Sequence, residues 1–339
     1  MLQLIILVFL THVGELHASN DTYQTSHEGY KRVLPAIADK DAFSQDFDAC
    51  MIKRWMTAGV LRNSPTDSCS SAWHSKLCYG VAARRPDNAQ YISCYNTAKL
   101  IPEFTAYVVP YSAVSLIGYQ RPNSFKQDTG PFAPNPQSAH GDCRKPKGVS
   151  DNYFCSRGHL TPNGAFDTKD ERDLTFIMTN VAPQWQEFNG GNWAAVEDAV
   201  KEYVKTVKRG VYVFTGTAGK TKYWQWGWRW TFQTSAGGPV APKYFWKAVC
   251  DPVLQQSIFF TAENNVENRS KTKVTSASCY GATMTEERGV VECESVSQAA
   301  NIGRYIWNWW HGLVVPDFDP VKCGTGSMGN FLQPHLKFA

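Results

Sequence analysis

Ser156-Arg157-Gly158-His159-Leu160-Thr161-Pro162 decides how this sequence is read, together with Asn180-Val181-Ala182-Pro183-Gln184-Trp185-Gln186-Glu187-Phe188-Asn189-Gly190-Gly191-Asn192-Trp193-Ala194-Ala195-Val196-Glu197. A histidine can take a proton from water near neutral pH, because its ordinary pKa is about 6.5. Arg157 offers a planar fork of donors to phosphate oxygens. The carbonyl oxygen of an asparagine such as Asn189 suits a hard divalent cation such as Mg²⁺, which keeps most of its waters and needs few protein ligands. These are the parts of a one-metal nuclease. Arg-Gly-His alone is a weak signal, and a lone histidine is more often structural than catalytic. Its weight comes from the second block and from its distance.

The two blocks resemble the DNA/RNA non-specific endonucleases of the ββα-metal type, a family that includes a secreted bacterial nuclease and mitochondrial endonuclease G. That family reads Asp-Arg-Gly-His, then Asn-x-x-Pro-Gln, an Asn and a later Glu. The resemblance puts His159 at the general base, Arg157 at the phosphate-contacting arginine and Asn189 at the metal ligand. Glu197 falls on the glutamate that orders metal-bound water, and Asn180 and Gln184 on positions that shape the site. Arg121, in Gln120-Arg121-Pro122-Asn123-Ser124-Phe125-Lys126, is nearest to a family arginine that steadies the transition state; a solvated surface arginine is the alternative. Ser156 departs from the usual Asp, as it does in secreted arthropod nucleases of the duplex-specific DNase kind. Further matches are Lys99–Val108, Gly210–Gly216 and Val240–Lys247, so the resemblance covers residues 75 to 315.

That resemblance implies an α+β fold: a ββα-metal core on a mixed or antiparallel sheet, with flanking helices and disulfide staples. It implies a Mg²⁺-dependent endonuclease, with Mn²⁺ as the alternative ion, that leaves 5′-phosphate ends. Residues addressing phosphate and metal carry no base-reading information, so low sequence specificity follows. Duplex DNA is the favoured partner. A nuclease cutting both DNA and RNA is the first alternative, and an inactive secreted nucleic-acid-binding homologue, with Ser156 marking lost catalysis, is the second. A disulfide-rich adhesion protein would explain the cysteines and leave both blocks unaccounted for.

The bulk numbers agree with a folded extracellular domain. The chain has 339 residues, 43% of them hydrophobic and 19% charged, which excludes a disordered polymer. Its formal charge of +4 permits a polyanionic partner without arguing for one. Met1–Leu10 is apolar but too short to span a bilayer, and Ala18 offers a cleavage site, so residues 1–18 read as a signal peptide. A buried N-terminal strand is the alternative, and no later stretch reads as a membrane span. All ten cysteines lie beyond residue 18, an even number that fits up to five disulfides in an oxidising compartment. No Cys-x-x-Cys pair supports zinc. The triplets starting at Asn20 and Asn268 are possible glycosylation sites.

Residues 19–72 read as a cysteine-containing N-terminal extension with a helix near Asp41–Met56, stapled to an endonuclease domain over 73–335. Lys126–Asp151, rich in proline and glycine, reads as a loop into the site. Trp193, Val196, Val200, Tyr203, Val204 and Val207 recur at helical spacing, which predicts a helix over 192–209 with Asn189 at or just before its start. Glu197 and Lys201, four apart, are expected to pair on its surface. Trp224 to Phe232 alternates with period two, which predicts one strand with an aromatic face that packs on the domain or, alternatively, stacks on bases. The Trp307-Asn308-Trp309-Trp310 cluster is read the same way.

Overall fold

The structure, a computed structural model, describes residues 41–81, 89–112, 118–138, 155–225, 228–231, 237–264, 270–305 and 314–339. All of them belong to one compact unit, Ile37–Ala339. The expected signal peptide, both glycosylation triplets' asparagines, Cys143 and the Trp307–Trp310 cluster lie outside the described residues.

Thirteen described strands run in chain order: β1 (His74–Tyr79), β2 (Tyr91–Asn96), β3 (Ile101–Val109), β4 (Cys155–His159), β5 (Val181–Trp185), β6 (Val211–Ala218), β7 (Lys222–Gln225), β8 (Trp228–Thr231), β9 (Tyr244–Asp251), β10 (Gln256–Glu263), β11 (Lys273–Ser276), β12 (Ala282–Thr285) and β13 (Val291–Glu294). The α-helices are α1 (Lys53–Thr57), α2 (Lys169–Asp173), α3 (Gln186–Phe188), α4 (Ala194–Val207), α5 (Val296–Tyr305) and α6 (Pro320–Cys323). Seven strands form one sheet in the order β1-β2-β3-β6-β9-β10-β13, antiparallel at every pairing. The fold is α+β, and the expected mixed or antiparallel sheet is the antiparallel one.

Side chains alternate across a strand, so each sheet face builds its own core. Tyr107, Val211, Val213, Phe245 and Val249 point to one face, where they pack with Trp193, Val196 and Val200 of the α4 region. Phe104, Ala106, Phe214, Trp246 and Ala248 point to the other, under Trp55 and Ile52 from the N-terminal helix and Val296 and Ala299 of α5. Both faces are thus covered. No described helix is long and apolar enough to cross a membrane.

The N-terminal helix begins later than expected, as a π-helical turn Asp48–Ile52 running into α1. Cys50–Cys78 and Cys69–Cys94 staple this segment to β1 and β2, while Cys250–Cys323 and Cys279–Cys293 close the C-terminal half. Cys155 is also disulfide-bonded, which leaves no free thiol among the described residues.

The aromatic run is not one strand. It folds back as the hairpin β7–β8, with Gln225 opposite Trp228 and Lys222 opposite Thr231.

Candidate active site

β4 and β5 form a separate antiparallel pair, in register from Cys155 opposite Trp185 to His159 opposite Val181. The chain then passes through α3 and a π-helical turn, Asn189–Trp193, into α4. This is a ββα unit, and it carries both sequence blocks. Asn264 ties it to the large sheet: its Oδ1 accepts from the Trp185 amide (3.0 Å) and its Nδ2 donates to the carbonyls of Pro183 and Pro242.

Small residues set the approach of the two strands. A Cβ on Gly158 would lie 2.1 Å from Oε1 and 2.6 Å from Cβ of Gln184. The buried Gln184 side chain therefore occupies the space over Gly158, between Arg157 and His159, and its amide atoms have no hydrogen-bond partner among the described residues. Gly191 is similarly enclosed, its Cβ position 2.8 Å from both Cβ and the carbonyl oxygen of Arg288. That contact lets the π-helical turn sit close against the 286–289 segment. Asn192 braces the same turn by donating to the carbonyl of Gly289 (2.6 Å).

His159 projects from the end of β4 between two phenyl rings, Phe125 and Phe176, each with its centroid 5.0 Å away. Arg157 lies over the Phe125 ring at 5.4 Å and Arg121 over the Phe176 ring at 5.2 Å. The imidazole is thus walled by rings, with a guanidinium stacked on each. Its Nε2 is buried and has no hydrogen-bond partner among the described residues. Burial, then the nearby charge of Arg121, pushes the His159 pKa down to about 3.

Asn189 has its orientation fixed by Ser156. Its Nδ2 donates to Ser156 Oγ (2.9 Å), and that hydroxyl donates onward to the Gln184 carbonyl (3.1 Å). With Nδ2 committed, Oδ1 is the prong of the carboxamide left for a cation. Ser156, where the resemblance leads one to expect Asp, fits because its hydroxyl can accept from one partner while donating to the other; an ionised carboxylate only accepts.

Glu197 sits two turns further on in α4, its side chain 23% exposed. It does not form the expected surface pair with Lys201. Its ion-pair partner is Lys247 of β9, at 4.0 Å, because helix packing turns this face toward the sheet instead of solvent. Burial pushes the Glu197 pKa up to about 7, Lys247 and Arg121 acting against that and Asp198 with it.

One cleft of about 700 Å³ is lined by Arg121, Arg157, His159, Asn189 and Glu197, with Phe125, Ser156, Lys201 and Lys247 among its other walls. Three separated segments thus bring five of the candidates together. Asn180 and Gln184 do not line it and act from behind. Asn180 is fully buried; its Oδ1 accepts from the Thr161 amide (2.9 Å) and its Nδ2 donates to the carbonyls of Thr161 (3.0 Å) and Thr175 (2.9 Å). It therefore fixes the chain leaving His159. Sequence reading missed Lys247, Phe125 and Phe176 as parts of the site. Only Lys247 left a signal, as a lone charge in the apolar run Tyr244-Phe245-Trp246-Lys247-Ala248-Val249.

A family model described as DNA/RNA non-specific endonuclease matches residues 78–299. A salivary endonuclease of Lutzomyia longipalpis is 37% identical over 118 residues, 33% of this chain and 27% of that protein. A nuclease of Nostoc sp. is 26% identical over 170 residues, 48% of this chain and 55% of its own length. The chain thus spans about a quarter to about half of the length of these relatives. Among solved structures, a chain of the EndoG/EndoGI complex is similar at a TM-score of 0.34 and 17% identity, covering 54% of this chain and 75% of that one.

Proposed function

Because the chain belongs to the DNA/RNA non-specific endonuclease family, we propose that it is a secreted, divalent-metal-dependent endonuclease that hydrolyses duplex DNA with low sequence specificity. The observation that carries the reading is the convergence of His159, Arg157, Arg121, Asn189 and Glu197 on one cleft.

The donor set fits a hard cation. Asn189 offers a neutral oxygen, Glu197 a carboxylate, and the cleft has room for waters, which is the environment Mg²⁺ takes and Mn²⁺ tolerates. When bound, the ion supplies charge neutralisation at the phosphate and stabilisation of the leaving oxygen. The chain's own residues do the rest. His159, neutral and with an unpartnered Nε2, accepts a proton from the attacking water. Arg157 and Arg121, held on their phenyl rings, bind the phosphate oxygens. Asn189 would hold the ion, and Glu197 would accept hydrogen bonds from the waters around it. Water oxygen bonds to phosphorus as the bond to the 3′-oxygen breaks, the leaving oxygen takes a proton from a water of the cleft, and the products are a 5′-phosphate and a 3′-hydroxyl.

Secretion is supported by the leader-like residues 1–18, by the disulfides and by likeness to a protein named a salivary endonuclease. The preference for duplex DNA rests on the resemblance, at Ser156, to secreted arthropod nucleases of the duplex-specific kind. Nicking of supercoiled plasmid, compared with cleavage of single-stranded DNA and RNA, with Mg²⁺ and with chelator, tests the whole reading. Nicking abolished by chelator is expected; a protein that binds DNA without cutting it would be the inactive homologue instead.

A further inference from the structure

Lys247 is a lysine with 1% of its side chain exposed, in the middle of the large sheet. An ammonium at that depth is strongly unfavourable unless it is paired and hydrogen-bonded, so its partners indicate its purpose. Its Nζ donates to Tyr107 OH (2.9 Å) from β3 and to Thr215 Oγ1 (2.6 Å) from β6, the residue directly across the strand pair. The Trp193 and Tyr107 rings wall it at 5.5 and 5.6 Å. An ammonium has three donors, and after these two the remaining charge partner is Glu197 Oε1 at 4.0 Å. At that distance the tie is one of charge, and Tyr107 and Thr215 decide where the charge stands. Glu197 and Trp193 are four residues apart, so both face the sheet from one side of the helix.

We propose that Lys247 is a positioning residue for Glu197: its fixed ammonium draws one carboxylate oxygen toward the sheet and leaves the other to the waters of the cleft. The inference rests on the role given to Glu197 above. Other groups around Glu197 do not do this job. Arg121 comes from the segment before β4, Arg157 and His159 from β4, Tyr107 from β3, and Asp198 and Lys201 from its own helix. Of these, Asp198 repels the carboxylate, and Arg121, whose guanidinium lies over the Phe176 ring, attracts it. Lys247 is the cation that reaches it from within the protein.

The test is Mn²⁺ binding to the full chain without nucleic acid, followed by calorimetry and by the EPR signal of free ion. The proteins are wild type, E197Q, K247M, E197Q/K247M and T215V. E197Q and K247M should each weaken binding by about tenfold, the usual cost of losing an outer-shell partner. The double variant should be no weaker than the worse single one, because both act through the same carboxylate. In K247M the pH at which binding is half lost should rise, since the cation that favours the ionised carboxylate is gone. Binding within twofold of wild type in K247M, or losses that multiply in the double variant, would overturn the inference and leave Glu197's role standing. An E197Q protein with undiminished binding would instead overturn the reading of Glu197. If K247M does not fold, T215V, which keeps the charge and removes one of its two anchors, decides: a folded T215V with unchanged binding and unchanged pH response sinks the proposal.

Discussion

His159 and Glu197 titrate in an unusual order, and each for a local reason. Burial between Phe125 and Phe176, with Arg121 near, holds the imidazole neutral down to about pH 3. Burial pushes the Glu197 carboxyl up to about 7. In the metal-free protein the proposed base is therefore ready before the carboxylate is. At limiting Mg²⁺ the acid limb of the rate should lie near neutrality and report Glu197. Saturating Mg²⁺ favours the ionised form and should move the limb below about 6.5. Rate–pH profiles at two Mg²⁺ concentrations check this, and a limb fixed at the ordinary histidine value at both would mean that the imidazole titrates normally. The sign for stability follows. Between about pH 6.5 and 3 the unfolded chain binds the His159 proton and the folded one does not, so acid removes stability in that window. Glu197 has the opposite sign between about 4.5 and 7, where the folded state holds the extra proton. Comparing urea midpoints of wild type and H159N from pH 6 to 4 isolates the histidine, and the variant should lose less. At constant neutral pH, H159A should lower the cutting rate by about two to four orders of magnitude with DNA binding retained. A folded variant keeping a tenth of the rate would remove His159 from the role of base. Ser156 belongs to this scale too. S156A frees the Asn189 amide to rotate, and a several-fold higher Mg²⁺ requirement should follow, with S156T restoring it; equal Mg²⁺ curves would mean the hydroxyl does not orient the ligand.

The strand pair β4–β5 depends on a missing side chain. In G158A the new methyl would meet Gln184 at its Cβ, an atom fixed to the partner strand, so rotation of the side chain cannot relieve it. Overpacking of this kind costs about 1–3 kcal/mol. The displaced strand also carries Arg157 and His159, so activity should fall further than stability, as positional errors of an ångström do. Thermal melts and cleavage rates of G158A and of G158A/Q184G separate the two effects. The double variant, which clears the space over residue 158, should recover part of the rate; no recovery would place the fault elsewhere. The amphipathic period of α4 was legible because packing against a sheet face imposes it. Which of its polar residues faced inward was not. Glu197 and Lys201 share a helix surface in sequence, yet the position of Lys247 on a strand some fifty residues later decides where Glu197 turns.

Across the whole molecule, disulfides hold the periphery to the sheet: the N-terminal helix through Cys50–Cys78, and the C-terminal segment through Cys250–Cys323 at the far end of the strand that carries Lys247. Chain entropy makes the wider bridge the more stabilising. Breaking Cys250–Cys323, with a separation of 73 residues, should cost roughly 1.5 kcal/mol more than breaking Cys279–Cys293, with a separation of 14. Chemical denaturation of the two double-alanine variants measures the difference, and a larger loss from the short loop would show that native packing around Cys279 outweighs loop entropy. The sequence by itself determined the family, through two motif blocks at a set distance, and through that resemblance the class of fold. The proton acceptor, phosphate fork and hard-oxygen ligand proposed for the site are local properties that residue order records, as are helical periodicity and an even cysteine count. Tertiary structure alone decided the rest. The fold-back of the tryptophan run, the phenyl walls of Phe125 and Phe176, the clamp of Ser156 on Asn189 and the pairing of Lys247 with Glu197 all join residues that other segments bring near. Burial and charge there act through distance in space, which residue order does not record.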